Sequence, residues 1–176
     1  SRRTHQRRST TAAEVAMTAP ASGMTHSMPL RVYYEDTDGA GIVYYANYLK
    51  FAERGRTEMM RTLGFAHSRI QAETGIVFTV RRLAADYREP ARLDDALSVD
   101  TRIVEIGGAT VLLDQQIRRD GKVLVALDVL VACVGRDGRP RRVPAGLRAA
   151  LASFGPPASM PSSIPGLAPT IVQKTP

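Results

Sequence analysis

The sequence predicts an α+β fold, in which one long helix packs against a curved antiparallel sheet of about five strands. Two observations carry this prediction. A helical segment near residue 50 has a broad apolar face, whereas the chain after residue 76 alternates apolar and polar residues in four long segments. One helix of this kind is enough to cover one face of a sheet, so both signals fit a single domain.

The helix is predicted at residues 46–63, after a short β-rich run at residues 30–34. Asn47 is suited to cap its start, and Gly64 is suited to end it in the left-handed conformation. Gly55 costs a helix about 1 kcal/mol relative to alanine, so we expect a neighbouring element to pack closely against it. The apolar face consists of Tyr48, Leu49, Phe51, Ala52, Gly55, Met59, Met60 and Leu63.

The alternating segments predict four strands in antiparallel succession, at residues 77–87, 96–106, 110–118 and 122–136. Asp120 and Gly121 lie between the last two strands, and this dipeptide is typical of a tight hairpin turn. A final helix is predicted in "PAGLRAALASFG", with Pro144 in its first turn.

Composition divides the chain into three parts. Residues 1–27 are rich in Arg, Ser, Thr and Ala without apolar periodicity, which fits a disordered extension, a tag remnant, an upstream start or an organellar leader. Residues 28–155 form the predicted domain. Residues 156–176 are rich in Pro and Ser and are predicted to be a flexible tail.

The charge distribution argues against nucleic-acid binding. Residues 1–27 carry +3 and residues 156–176 carry +1 of the formal +7 charge, which leaves only +3 for the domain. The domain does not interleave aromatic and basic residues for base stacking. A modest positive excess is nevertheless suited to a phosphate-bearing small molecule.

Other composition features restrict the class of protein. No apolar run approaches the roughly 18 residues that span a bilayer, so the chain is not expected to cross a membrane. The single cysteine, Cys133, lies in an apolar run and is predicted to be a buried, unreactive thiol. It allows neither an internal disulfide nor a cysteine metal site, and a reducing compartment such as the cytoplasm fits best.

The stretch "YYEDTDGAGIVYYANYLKFAERGRTE", residues 33–58, carries the functional signal. A calcium loop that began at Asp36 would need oxygen ligands where Ala40 and Asn47 stand, so that interpretation fails. A dinucleotide fingerprint would need glycine in place of Tyr44, and no Lys-Ser/Thr pair completes a phosphate loop.

The remaining interpretation is a carboxylate beside the start of a helix. Gly39 and Gly41 allow the backbone to pass close to a ligand, and unpaired amides at a helix start can stabilise a carbonyl oxygen that gains negative charge. A nearby carboxylate could attack that carbonyl or activate a water molecule. The competing interpretation is that Asp and Gly only form a turn.

The same stretch, together with "DYREPARLDDALSV" at residues 86–99, resembles the hotdog-fold acyl-CoA thioesterases. The resemblance covers residues 28–155 and is strongest to the YbgC-like, Tol-Pal-associated enzymes and to the 4-hydroxybenzoyl-CoA thioesterases. It rests on an Asp-x-Asp pair, followed by Gly-Ile-Val, aromatic residues and Asn-Tyr. The YbgC-like members often have histidine before "ANY", whereas this chain has Tyr45.

The resemblance implies hydrolysis of an acyl-CoA to a free acid and CoA, without a metal or redox cofactor. Asp38 is implied as nucleophile or general base, and the backbone amide of Tyr45 as the group that polarises the thioester carbonyl, with Gly41 beside it. The family implies homodimers, often paired into tetramers, with sites at the dimer interface. An acyl carrier protein is a possible further partner.

Several other residues have two interpretations each. Arg81 and Arg82 could contact CoA phosphates, as guanidinium geometry allows, or form a solvated pair on a strand. Asp36 is expected to organise the turn or to face solvent, and Glu53 is expected to be structural or interfacial, although another thioesterase branch uses a helix carboxylate. His67, taken as the only histidine in the domain, is expected at the surface or in a helix cap.

Two rival functions remain open at this point. A hydratase or dehydratase of the same fold would need a histidine paired with an acid, and His67 lies outside the motif. A non-catalytic scaffold or acyl-carrier binder would need no chemistry at all.

Overall fold

The protein forms a five-stranded antiparallel sheet with helices on one face, which confirms the predicted α+β hotdog architecture. The computed structural model describes residues 24–154; the rest of the predicted extension and tail lies outside them. The strand order is β1-β3-β4-β5-β2. The elements are β1 (His26–Arg31), α1 (Asn47–Thr62), α2 (His67–Thr74), β2 (Val77–Tyr87), β3 (Ala96–Ile106), β4 (Thr110–Arg119), β5 (Lys122–Val134) and α3 (Ala145–Ser153).

Helix α1 packs across the inner face of the sheet, where its predicted apolar face is buried. Phe51 and Ala52 are fully buried in the core. A Cβ atom added at Gly55 would lie 2.6 Å from Cγ1 of Val99 on β3, so the expected close approach at this glycine is confirmed. The backbone of α1 therefore packs directly against the side chains of Val99 and Thr101 at this glycine.

The two ends of α1 differ in how well the sequence predicted them. Gly64 has φ of +82° and follows the helix in the left-handed conformation, as expected. Asn47, in contrast, is not the cap, because the cap position is held by Ala46, whose side chain has no polar group. The Asn47 side chain instead donates a hydrogen bond of 2.9 Å to the carbonyl oxygen of Asp36.

The first strand lies earlier than predicted. β1 begins at His26, which pairs with Thr101 on β3, rather than at residue 30. Tyr33 and Tyr34, which favoured a strand at residues 30–34, do not belong to β1. Tyr33 precedes a short 3₁₀ turn, Tyr34–Asp36, and Tyr34 is its first residue. The Asp36 carboxylate causes this change, because it accepts a hydrogen bond from the backbone N–H of Tyr33 at 2.8 Å.

The four later strands were predicted closely, but β2 does not pair with its successor. β3 is already paired with β1 and β4, so β2 pairs with β5 at the opposite edge of the sheet. The hairpin between β4 and β5 is confirmed, with φ of +50° at Asp120 and +78° at Gly121.

Helix α2 was not predicted, because its sequence contains only one buried residue, Ile70, and therefore no apolar stripe.

Cys133 is fully buried, and burial raises the pKa of its thiol to about 11, in agreement with an unreactive cysteine. No helix within residues 24–154 is long and apolar enough to cross a membrane.

Candidate active site

Asp36 builds the turn that precedes α1. Its side chain is buried, and its carboxylate accepts the hydrogen bond from Tyr33 described above. Its carbonyl oxygen accepts two further hydrogen bonds of 2.9 Å, from the backbone N–H of Tyr44 and from the Asn47 side chain. Asp36 therefore organises the turn, as expected from the sequence.

Asp38 is held by a different set of contacts that leaves part of its carboxylate available. Its backbone N–H donates to the carbonyl of Ile42, and its own carbonyl accepts from the N–H of Gly41, both at 2.9 Å. Oδ1 accepts a 2.8 Å hydrogen bond from the N–H of Ala40, and within residues 24–154 Oδ2 has no partner. The tight turn needs Gly41, whose φ is +70°.

The backbone amide of Tyr45 lies two residues before α1. The neighbouring peptides are engaged: the Tyr44 N–H donates to Asp36, and the Tyr44 carbonyl accepts from the N–H of Asn47 at 2.8 Å. The Tyr45 N–H itself donates to no acceptor in the described part of the chain. This donor lies near the positive end of the helix dipole, where a developing negative charge is favoured.

Asp38 and the start of α1 border a cleft of about 440 Å³. Tyrosine rings supply much of its wall, and the ring of Tyr87 lies 6.4 Å from that of Tyr45 and 5.9 Å from that of Tyr48, centre to centre. The lining residues are Asp38, Ile42, Val43, Tyr44, Tyr45, Tyr48, Tyr87, Arg88, Glu89 and Pro90. The cleft thus combines an aromatic wall with the carboxylate of Asp38.

Two of these tyrosines have hydroxyl groups with structural partners. The Tyr48 hydroxyl accepts a 2.8 Å hydrogen bond from the N–H of Ala91, and the Tyr87 hydroxyl donates to the carbonyl of Tyr45 at 3.2 Å. Burial raises the pKa of Tyr87, so its hydroxyl stays protonated and able to donate. Tyr87 was not predicted as a site residue, although it lies in the stretch at residues 86–99 that supports the resemblance.

Arg81 and Arg82 do not line this cleft. They lie exposed in the middle of β2, at an irregularity in its pairing with β5 between Val80 and Arg82. Five residues of strand separate Arg82 from Tyr87, a distance of roughly 16 Å. Their predicted contact with CoA phosphates stays a prediction.

Glu53 and His67 also lie outside the lining of the cleft. Glu53 is exposed on α1 and accepts a 2.7 Å hydrogen bond from the Thr57 hydroxyl. His67 begins α2 with its ring 5.5 Å from that of Phe78, and burial lowers the pKa of this half-buried imidazole. It is not the only histidine of the domain, since His26 lies in β1, and neither histidine lines the cleft.

In the part of the chain that the structure describes, acidic, histidine and cysteine side chains do not gather into a metal site. Among residues 24–154, no group of three or more such side chains could hold a metal ion. Asp38 and Tyr45 line the same cleft, and a carboxylate together with a backbone amide can act on a carbonyl group without further ligands.

Comparison with known proteins identifies the family to which this arrangement belongs. The family model described as thioesterase superfamily matches residues 40–126. The chain is 49% identical over 108 residues to the acyl-CoA thioesterase YbgC of Haemophilus influenzae, which covers 61% of this chain and 79% of that relative. The chain belongs to the thioesterase superfamily. It is an enzyme of the thioester hydrolase class.

Two further relatives support this assignment. The acyl-CoA thioester hydrolase YbgC of Escherichia coli is 42% identical over 118 residues, which cover 66% of this chain and 87% of that protein. A probable thioesterase of Bartonella henselae has a crystal structure with a TM-score of 0.67 and 36% identity, which covers 69% of this chain and 100% of that one. The family match at residues 40–126 begins just after Asp38 and includes the start of α1 and Tyr87.

Proposed function

We propose that this thioesterase hydrolyses the thioester bond of an acyl-CoA, giving a carboxylic acid and CoA, with Asp38 as the catalytic carboxylate. The observation that supports this most directly is that one cleft is lined by Asp38, whose carboxylate is partly free, and by Tyr45, whose amide has no acceptor within residues 24–154. The relatives named acyl-CoA thioesterases supply the substrate class.

In the proposed reaction, the thioester carbonyl oxygen accepts a hydrogen bond from the Tyr45 amide. Negative charge then develops on that oxygen beside the start of α1, where the helix dipole stabilises it. No metal or redox cofactor takes part, because hydrolysis needs only water, a base or nucleophile, and a donor for the oxyanion.

In the proposed reaction, Asp38 acts either as a general base or as a nucleophile. As a general base, it takes a proton from water, the resulting hydroxide attacks the carbonyl carbon, and the tetrahedral intermediate expels the CoA thiolate, which takes up the proton. As a nucleophile, its free oxygen attacks the carbonyl carbon and expels the thiolate, and water then hydrolyses the mixed anhydride. Single turnover in ¹⁸O water places label in the Asp38 carboxylate only on the second route.

The proposed enzyme works as a homodimer or as a tetramer of two dimers in the cytoplasm, with its sites at the dimer interface. β2 supports this, because it pairs with β5 on one side only and is an 11-residue edge strand. A long unpaired edge invites pairing with another copy of the chain. An acyl carrier protein is a further possible source of the acyl group.

Thiol release by the purified protein tests this function. We expect rapid release of CoA from at least one member of a panel of short aliphatic, long aliphatic and aromatic acyl-CoAs, followed with a thiol-reactive dye. Saturable acyl-CoA binding with no thiol release would contradict hydrolysis and support a non-catalytic binder. A hydratase is disfavoured, since neither described histidine lines the cleft.

A further inference from the structure

The two edge strands of the sheet differ in their capacity to pair with another strand. The strand order leaves β1 at one edge and β2 at the other, each with a neighbouring strand on one side only within residues 24–154. β2 has 11 residues and contains no proline, whereas β1 has 6 residues with Pro29 near its middle. An unpaired edge is a template for further strands, so a chain with two such edges tends to aggregate unless one of them is blocked.

The backbone of Pro29 faces the open edge of β1. The N–H of Val32 donates to the carbonyl of Asp95 at 3.0 Å, and this pair continues the register between β1 and β3. Hydrogen-bonded and non-hydrogen-bonded pairs alternate along an antiparallel ladder. The backbone groups of residues 28 and 30 therefore point toward β3, whereas those of Ser27, Pro29 and Arg31 point away from the sheet.

Proline at this position blocks the outer edge of β1 without weakening the bonds of β1 to β3. Proline has no backbone N–H, and its ring occupies the place of the missing hydrogen. If a second β1 strand lay antiparallel across a two-fold axis at Pro29, the two prolines would stand opposite each other. The two central hydrogen bonds of that ladder would be absent and the rings would hold the strands apart, which leaves only Ser27 and Arg31 to pair.

The rest of β1 is well suited to pairing. Its six residues pair with β3 in an uninterrupted register. Its half-buried residues alternate with exposed ones, and Met28 and Leu30 pack against the hydrophobic core. A regular strand that is held in place by its inner side chains offers a preformed edge to another copy when its outward N–H groups are complete.

The difference between the two edges decides whether an assembly of this chain closes. Pairing of two copies through β2 across a two-fold axis gives a closed dimer. The continuous sheet of that dimer ends in a β1 strand on either side. If the β1 edges also paired, each dimer would join two others, and the sheet would grow without limit.

We propose that Pro29 closes the β1 edge to other copies of the chain and so directs self-association to β2. The inference goes beyond the proposed hydrolysis and does not depend on it, although it uses the pairing through β2. Pro29 thereby protects a site shared between two subunits, because growth through β1 would bury the dimer in a larger sheet.

The test restores the missing N–H with Pro29→Thr and, with a smaller gain in strand propensity, with Pro29→Ala. Sedimentation velocity of the wild-type chain should give the same mass over a wide range of concentration. In both variants we expect the average mass to rise with concentration and at least to double, since each contact through β1 joins two complete dimers. The value of kcat per subunit should stay unchanged, because β1 does not line the cleft. Unchanged masses in both variants, with folding checked by circular dichroism, would overturn the proposal.

Two double variants distinguish pairing at the sheet edges from non-specific aggregation. Adding Ser27→Pro to Pro29→Thr removes the neighbouring outward N–H and should restore the wild-type mass. Adding Val80→Lys to Pro29→Thr weakens the β2 edge, where Val80 is 45% exposed, so growth should stop at a fixed size. Unlimited growth in either double variant would overturn the role of Pro29. A wild-type chain that releases no thiol from acyl-CoA would refute the proposed function and leave the result for Pro29 standing.

Discussion

Tyr87 connects the end of β2 with the start of α1 through a single hydrogen bond. Its hydroxyl donates to the carbonyl of Tyr45, and α1 does not use that carbonyl, because the N–H of Leu49 donates to Ala46 instead. The contact fixes the peptide next to the Tyr45 amide. We therefore regard Tyr87 as a positioning residue, which acts on the substrate through the backbone.

The variant Tyr87→Phe keeps the ring and its packing but removes the hydrogen bond. We expect kcat to fall about threefold to tenfold, the effect of one hydrogen bond of ordinary net strength, with KM nearly unchanged. Tyr34→Phe is the control, because that side chain is 81% exposed and lies outside the cleft lining. An unchanged kcat, or a rise in KM alone, would show that Tyr87 only shapes the cleft wall.

At the scale of elements, the close contact of α1 with β3 depends on Gly55. The variant Gly55→Ala places a methyl group 2.6 Å from the position of Val99 Cγ1, so the strand or the helix has to shift. Overpacking of this kind costs about 1–3 kcal/mol and outweighs the better helix propensity of alanine. We expect Tm to fall by several degrees, measured by circular dichroism.

Gly146 on α3 provides the comparison, because a Cβ there would lie an ordinary 3.6 Å from Phe65. Gly146→Ala should leave Tm unchanged or raise it. Combining Gly55→Ala with Val99→Ala should cost less than the sum of the single changes, since the second change removes the clashing atom. Strict additivity would show that the contact at Gly55 does not limit the packing.

The elements that the sequence predicted best are those whose pattern depends on burial alone. The bounds of β3 agree with the structure because buried and less buried residues alternate along most of the strand, whereas the bounds of β2 agree although its burial does not alternate. β1 was misplaced because strand propensity at Tyr33 and Tyr34 competes with a turn, and the turn depends on a side-chain acceptor, Asp36. Strand propensity takes no account of a hydrogen bond between a side chain and the backbone.

The residues of the candidate site could be predicted from the sequence where they lie close together along the chain. Asp38 and Tyr45 could be proposed because they lie in one continuous motif at the start of α1. Tyr87 reaches the same cleft from a strand 42 residues further along the chain, and only the tertiary structure brings it there. Arg81 and Arg82 have side chains suited to binding phosphate groups, yet they do not line the cleft. A suitable side chain alone therefore does not predict that a residue lies near the cleft.

For the whole molecule, the start of the domain can be tested by truncation. A chain that begins at residue 28 loses two paired residues of β1, including Ser27, whose hydroxyl donates a 2.7 Å hydrogen bond to Asp100. A chain that begins at residue 24 keeps both. We expect the shorter chain to have a clearly lower Tm and the longer one to match the full chain. Equal Tm values would support the boundary at residue 28.

Assembly is also a property of the whole molecule. Light scattering at micromolar concentration should give the mass of a dimer or a tetramer, because β2 leaves an 11-residue edge unpaired in the described chain. Val80 near the middle of that strand is 45% exposed. Val80→Lys should weaken the assembly and raise the monomer fraction. A wild-type monomer with full activity would contradict a site shared between subunits.

The most direct test of the central claim is the rate of acyl-CoA hydrolysis by Asp38→Asn beside Asp36→Asn and Glu53→Gln. Asp38→Asn keeps the size of the side chain but removes the base and nucleophile, so kcat should fall at least about 10²-fold, while substrate binding persists through backbone donors. The two controls should each lose about tenfold or less, as expected of turn and helix residues, with folding checked by circular dichroism. A near wild-type rate for Asp38→Asn together with an inactive Glu53→Gln would contradict the account and assign the chemistry to the helix carboxylate.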